Sequence, residues 1–86
     1  MRPHMGTLGS ILYHIYEVCK QNNTLTTFHL WLNEALASVD DLISTTNDKN
    51  ELFTALTISQ DIRYSAFLSA IFLFSRKGRS QFSKYN

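Results

Sequence analysis

Cysteine and proline each occur once in this 86-residue chain, and glycine three times. One cysteine cannot close an intrachain disulfide, which excludes a disulfide-stapled secreted miniprotein. No apolar run approaches the roughly 18–20 residues needed to span a bilayer. No apolar–polar alternation marks a strand before Gly78, and no Asn-Gly or Asp-Gly pair marks a hairpin. No repeat or low-complexity tract is present. The length allows one domain. With 44% hydrophobic residues the chain is too apolar to be disordered. These exclusions leave a small, soluble, intracellular helical domain, cytoplasmic or nuclear.

Chemistry-bearing motifs are also missing. There is no Gly-rich phosphate loop, no G-x-S-x-G elbow and no H-E-x-x-H pair. Outside the first ten residues the soft metal ligands are His14, Cys19 and His29. His14 and Cys19 are five apart, which turns them to different faces of a helix, so no metal site is expected. The adjacent Asp40 and Asp41 cannot face each other on a helix. No catalytic residue, cofactor or small-molecule substrate is implied, and the chain reads as non-enzymatic.

Residues 1–10, MRPHMGTLGS, combine dipeptides typical of cloning junctions and contain no signal-peptide core. They read as a disordered leader, either appended or a native flexible start. Residues 11–78 read as the helical domain and 79–86 as a basic, aromatic tail.

Four helical segments are expected, at roughly 9–21, 26–44, 48–57 and 60–77, giving an all-α, small four-helix bundle. In the first, Ile11, Ile15 and Cys19 recur at helical period with Leu12 and Tyr16 beside them. Asn22 and Asn23 then break the pattern. In the second, Leu25, Phe28, Leu32, Ala35, Leu36, Val39, Leu42 and Ile43 form a continuous ladder. Thr26 is its expected cap, and Leu25 with Leu30 an expected hydrophobic staple. The run from Ser44 to Asn47 should end it. Asn47 or Asp48 is the expected cap of the third, where Asp48 with Glu51 resembles a capping box, and its apolar face is Leu52, Phe53 and Leu56. Ser59 is the expected N-cap of the fourth and Gly78 its left-handed C-cap.

The stretch 66–74 reads AFLSAIFLF and is apolar around its whole circumference. A helix of that kind must be surrounded. Two surroundings are open: the central place in a bundle, a tight fit for the other three helices of one copy, or one face docked on a second chain. A protein partner or self-association follows from the second, with Phe67, Leu68, Ile71, Phe72 and Phe74 as core and partial interface. Trp31, one step off the second ladder, is either core edge or an exposed anchor, since tryptophan is enriched at binding hot spots.

Charge is separated along the chain. Residues 1–60 carry three basic against six acidic residues, net −3; residues 61–86 carry five basic against one acidic, net +4. Arg76, Lys77, Arg79 and Lys84, with Phe82 and Tyr85 nearby, could track phosphates while the rings stack on bases. That pattern supports an alternative function in DNA binding.

Arg63, Phe67, Leu68, Ile71, Leu73 and Gly78 together resemble the recognition-helix region of the C-terminal winged-helix domain of kleisins. Those are the bridging subunits that clamp structural-maintenance ATPases. The resemblance covers about sixteen residues, mostly apolar positions. It implies a helix-turn-helix or winged-helix-like, chromosome-associated module. The expected helix at 48–57 interrupts that pattern, and eight residues after Gly78 are few for a two-stranded wing.

Overall fold

Asn23 takes φ 60°, the left-handed conformation, and this one residue turns the chain out of its first helix. In the computed structural model that helix, α1, spans Thr7–Gln21. The Thr24 N–H donates back to the Cys19 carbonyl at 3.0 Å across the left-handed Asn23. This is a Schellman-type closure, with Asn in the place more often held by glycine. The structure describes the backbone of residues 7–85 and the side chains of residues 7–75.

The second helix, α2, spans Leu25–Thr45. Its N-cap is Thr24, two residues ahead of the expected Thr26, and the Thr24 side chain makes no capping bond. Leu25 is buried and Leu30 exposed, so the expected staple between them does not form. The end falls in the expected Ser/Thr run. Ser44 and Thr45 donate their hydroxyls to the Asp41 carbonyl at 2.8 and 3.0 Å, and the Thr46 N–H donates to Leu42 O at 2.9 Å. The Leu42 bond satisfies a carbonyl that the helix end would leave open.

The third helix, α3, spans Lys49–Tyr85. Asp48 caps it, as expected: Asp48 Oδ1 accepts from the Asn50 and Glu51 N–H groups at 2.9 and 3.4 Å. The chain is all-helical over its described residues, but it has three helices, not four. The segments expected at 48–57 and 60–77 are one continuous helix. Thr57 and Ser59 carried the expected break. Such residues cost a helix only about 0.5 kcal/mol each, and their hydroxyls can be absorbed. Thr57 Oγ1 donates to the Phe53 carbonyl at 3.1 Å. Ser59 is buried in mid-helix rather than capping a terminus. Gly78 lies within α3 and does not end it, and the expected tail at 79–86 continues the helix to Tyr85. No strand occurs among the described residues, so the helix runs on where a winged-helix domain would place its wing.

Thr7, Leu8, Gly9 and Ser10, read from sequence as the end of a leader, form the first turn of α1, and Gly9 is buried. Thirty-seven residues at 1.5 Å each make α3 about 55 Å long, and the molecule's longest extent is 55 Å. The long helix is therefore the axis of the fold. α2 is its main packing partner, α1 packs chiefly on α3, and α1 and α2 touch little.

The core is Leu12, Tyr16, Leu25, Phe28, Leu32 and Ile62, with Ala35, Leu36, Val39, Leu68 and Phe72 packed around it. On α1 the inward face centres on Leu12 and Tyr16, with Ile15 and Cys19 of the expected ladder packed beside them; Ile11 is exposed. On α3 the inward stripe is built mostly of small residues: Ala55, Ser59, Ile62, Ser65 and Ser69. Ser69 Oγ donates to the Ser65 carbonyl at 3.0 Å. The Ser65 hydroxyl is buried without a hydrogen-bond partner. Small side chains let α1 and α2 approach the α3 backbone closely. Ile58, Ile62, Leu68, Phe72 and Leu73 also pack inward, while Phe53, Leu56, Phe67, Ile71 and Phe74 lie on the other side.

A candidate association surface

α3 turns its bulk toward water. Phe53 is 73% exposed, Leu56 45%, Phe67 61%, Ile71 49% and Phe74 80%. Because α3 is unbroken, these five residues keep one helical phase. Phe53, Gln60, Phe67 and Phe74 recur every seven residues, and Leu56 and Ile71 fall beside them. At about 100° per residue all lie within a stripe roughly 60° wide. The buried Ala55, Ile62 and Ser69 lie about half a turn away.

The all-round apolar stretch 66–74 is thus divided, not surrounded. Leu68 and Phe72 are half-buried against the core, while Phe67, Ile71 and Phe74 face outward. Of the five interface residues expected there, two serve the interior and three form the open face. Phe53 and Leu56 were expected to supply the inner face of a separate short helix, and they extend the outer one instead. The inner position went to Ala55.

Arg63 borders the stripe. Its guanidinium donates to both carboxylate oxygens of Asp40 on α2, at 3.3 and 3.5 Å. Between Phe53 and Phe74 the charged residues are Asp61 and Arg63. Asp61 lies about 80° around the helix from Phe53, and Arg63 is neutralised by Asp40. The stripe therefore carries no uncompensated charge.

Trp31 is 53% exposed and stacks on Phe28, with ring centroids 6.1 Å apart and planes inclined by 19°. It is an exposed ring held by a buried one. Trp31 and Asp40 are nine residues apart on α2, about half a turn around the helix. Since Asp40 marks the flank next to the α3 stripe, Trp31 lies on the opposite flank. The fold does not bring it together with Phe67, Ile71 and Phe74.

A second feature ties α1 to α3. Lys20 Nζ donates to Glu17 Oε1 at 3.0 Å and lies 5.0 Å from the Tyr16 ring centre and 5.5 Å from that of Phe72. The hydrogen bond to Glu17 raises the Lys20 ammonium above its ordinary 10.5. Burial raises the Tyr16 hydroxyl above its ordinary 10.0. The cluster is a cation held by two ring faces and a carboxylate.

Cys19 and His29 are half-buried and His14 is exposed. Among the described residues no three His, Cys, Asp or Glu side chains gather as metal ligands would. No helix among them is long and apolar enough to cross a membrane. Arg76, Lys77, Arg79 and Lys84, the expected nucleic-acid contacts, belong to the last turns of α3, and their side chains lie outside the described residues. Comparison with known proteins gives no matching family model, no matching relative and no matching solved structure.

Proposed function

We propose that this chain is a non-enzymatic helical module that works by protein–protein association, and that the outer face of α3 is its contact surface. One observation carries the reading. Five large apolar side chains lie open in a single stripe on a helix whose opposite face is already packed. Scattered exposed apolar residues are ordinary on a protein surface, but a contiguous row of them on one face marks an interaction site. Burying each side chain fully would contribute roughly 1.5–3 kcal/mol. Trp31, on the far flank of α2, plays no part in this contact.

The test is photo-crosslinking with a benzophenone-bearing phenylalanine analogue at Phe67, on the purified chain and in lysate of its source cells. An adduct joining Phe67 to a second polypeptide, suppressed by Ile71→Glu in the same chain, supports the reading. A Phe67 probe that forms no polypeptide adduct in either setting overturns it.

A further inference from the structure

We infer that the partner seated on this face is a second copy of the same chain, with the two α3 helices antiparallel. The inference rests on the association reading above and adds the identity and orientation of the partner.

The spacing of the stripe supports it. From the N-terminal side the stripe positions run Phe53, Leu56, then the polar Gln60, at gaps of three and four, so two of the three mirrored pairs are apolar on both sides. From the C-terminal side they run Phe74, Ile71, then Phe67, again at gaps of three and four. The pattern is a mirror about the point between Arg63 and Tyr64. A two-fold axis placed there sets Phe53 against the partner's Phe74, Leu56 against the partner's Ile71, and Gln60 against the partner's Phe67. This is the self-complementarity that a closed two-fold interface requires, in which i meets j and j meets i. A heterologous partner would impose no such mirror on the stripe. The antiparallel arrangement also opposes the two helix dipoles.

The area is sufficient. At roughly 200 Å² per phenylalanine, the exposed fractions of Phe53, Phe67 and Phe74 leave about 400 Å² in water on one copy. Two copies face to face would remove about 800 Å² from these rings alone. Leu56, Ile71, Gln60 and Tyr64 bring the total to about 1,200 Å², where stable interfaces begin. Charge permits the approach, since Arg63 is already neutralised by Asp40 at 3.3 Å.

The experiment uses the full chain with its one cysteine removed as Cys19→Ser. Leu56→Cys and Ile71→Cys are introduced in separate chains, which keeps all three rings in place, and the chains are oxidised alone and mixed. In the antiparallel pair Leu56 lies next to the partner's Ile71, but about 22 Å along the axis from the partner's Leu56. A disulfide needs its Cα atoms within about 7 Å. The mixture is expected to give a covalent dimer and each variant alone none. Covalent dimers from each variant alone overturn the antiparallel arrangement. A wild-type chain that sediments as a monomer up to about 1 mM overturns the homodimer. If Phe67 nonetheless crosslinks to another polypeptide in lysate, the association reading stands without it. If neither occurs, both fall.

Discussion

Phe67 and Ser69 sit two residues apart on α3 with opposite surroundings: the ring is 61% exposed and the hydroxyl is fully buried. The inversion follows from which face of α3 lies close to α1 and α2. Ala55, Ser59, Ser65 and Ser69 line the contact together with Ile58 and Ile62, and Phe53, Phe67 and Phe74 fall on the side with no neighbour. The rest of the account follows from this choice of face.

The first prediction concerns the serine stripe. Ser65→Ala removes a buried hydroxyl that has no partner and is expected to stabilise the fold by about 1 kcal/mol, since an unsatisfied buried polar group costs about 1–3 kcal/mol and alanine is the better helix former. Ser69→Leu forces bulk into the close contact and should destabilise by about 1–3 kcal/mol. Urea unfolding followed by circular dichroism measures both. If Ser69→Leu is stabilising, the bulk of α3 faces inward and the assignment of faces is wrong.

A second prediction separates one long helix from two short ones. Were Ser59 an N-cap, Gln60 would be the first residue of a new helix, where proline is tolerated. In a continuous α3 it is interior and exposed, so Gln60→Pro should cost about 3 kcal/mol or more without disturbing the core directly. Thermal unfolding reads the difference, and a loss under about 1 kcal/mol would mean the helix is broken at this point.

Much of the fold was legible because strong local signals coincide with the true boundaries. Asn22-Asn23 ends α1, the Ser44 to Asn47 run ends α2, and Asp48 caps α3, each with its own hydrogen bonds. The false break at Thr57 to Ser59 arose because Ser and Thr, though strongly favoured at N-caps, cost little in a helix interior, so their presence does not force an end. No proline or glycine stands there to force the matter. The inner face of α3 was illegible for a different reason. Hydrophobic periodicity assigns large residues inward, and here the inner face mixes Ile58 and Ile62 with the small Ala55, Ser59, Ser65 and Ser69. The seven-residue spacing of Phe53, Gln60, Phe67 and Phe74 was the available signal, but it is visible only once the helix is taken as continuous.

The third prediction is alkaline sensitivity. Both Tyr16 and Lys20 hold their protons more tightly in the folded chain, with ordinary values of 10.0 and 10.5. The unfolded chain therefore releases these protons first as pH rises. The stability they contribute is fully present below about pH 10 and is lost as pH rises through the folded values. Melting temperature should fall as pH rises above about 10, and the fall should be shallower in a Tyr16→Phe, Lys20→Met double variant. An identical slope in the two chains would show that this cluster does not govern the transition.

Trp31 supplies a fourth. It is the one tryptophan of the chain and lies on the flank of α2 away from the α3 stripe. Its emission maximum and acrylamide quenching should stay constant while association proceeds over a concentration series. A blue shift that tracks association would place the α2 flank in the contact instead.

The most direct test of the association surface is sedimentation equilibrium of the wild-type chain beside Phe67→Glu, at matched helicity by circular dichroism. The account predicts a concentration-dependent dimer for wild type and a dissociation constant raised at least about 30-fold for Phe67→Glu, since a central aromatic anchor contributes about 2 kcal/mol or more. A wild-type dimer whose dissociation constant is unchanged by Phe67→Glu would contradict it.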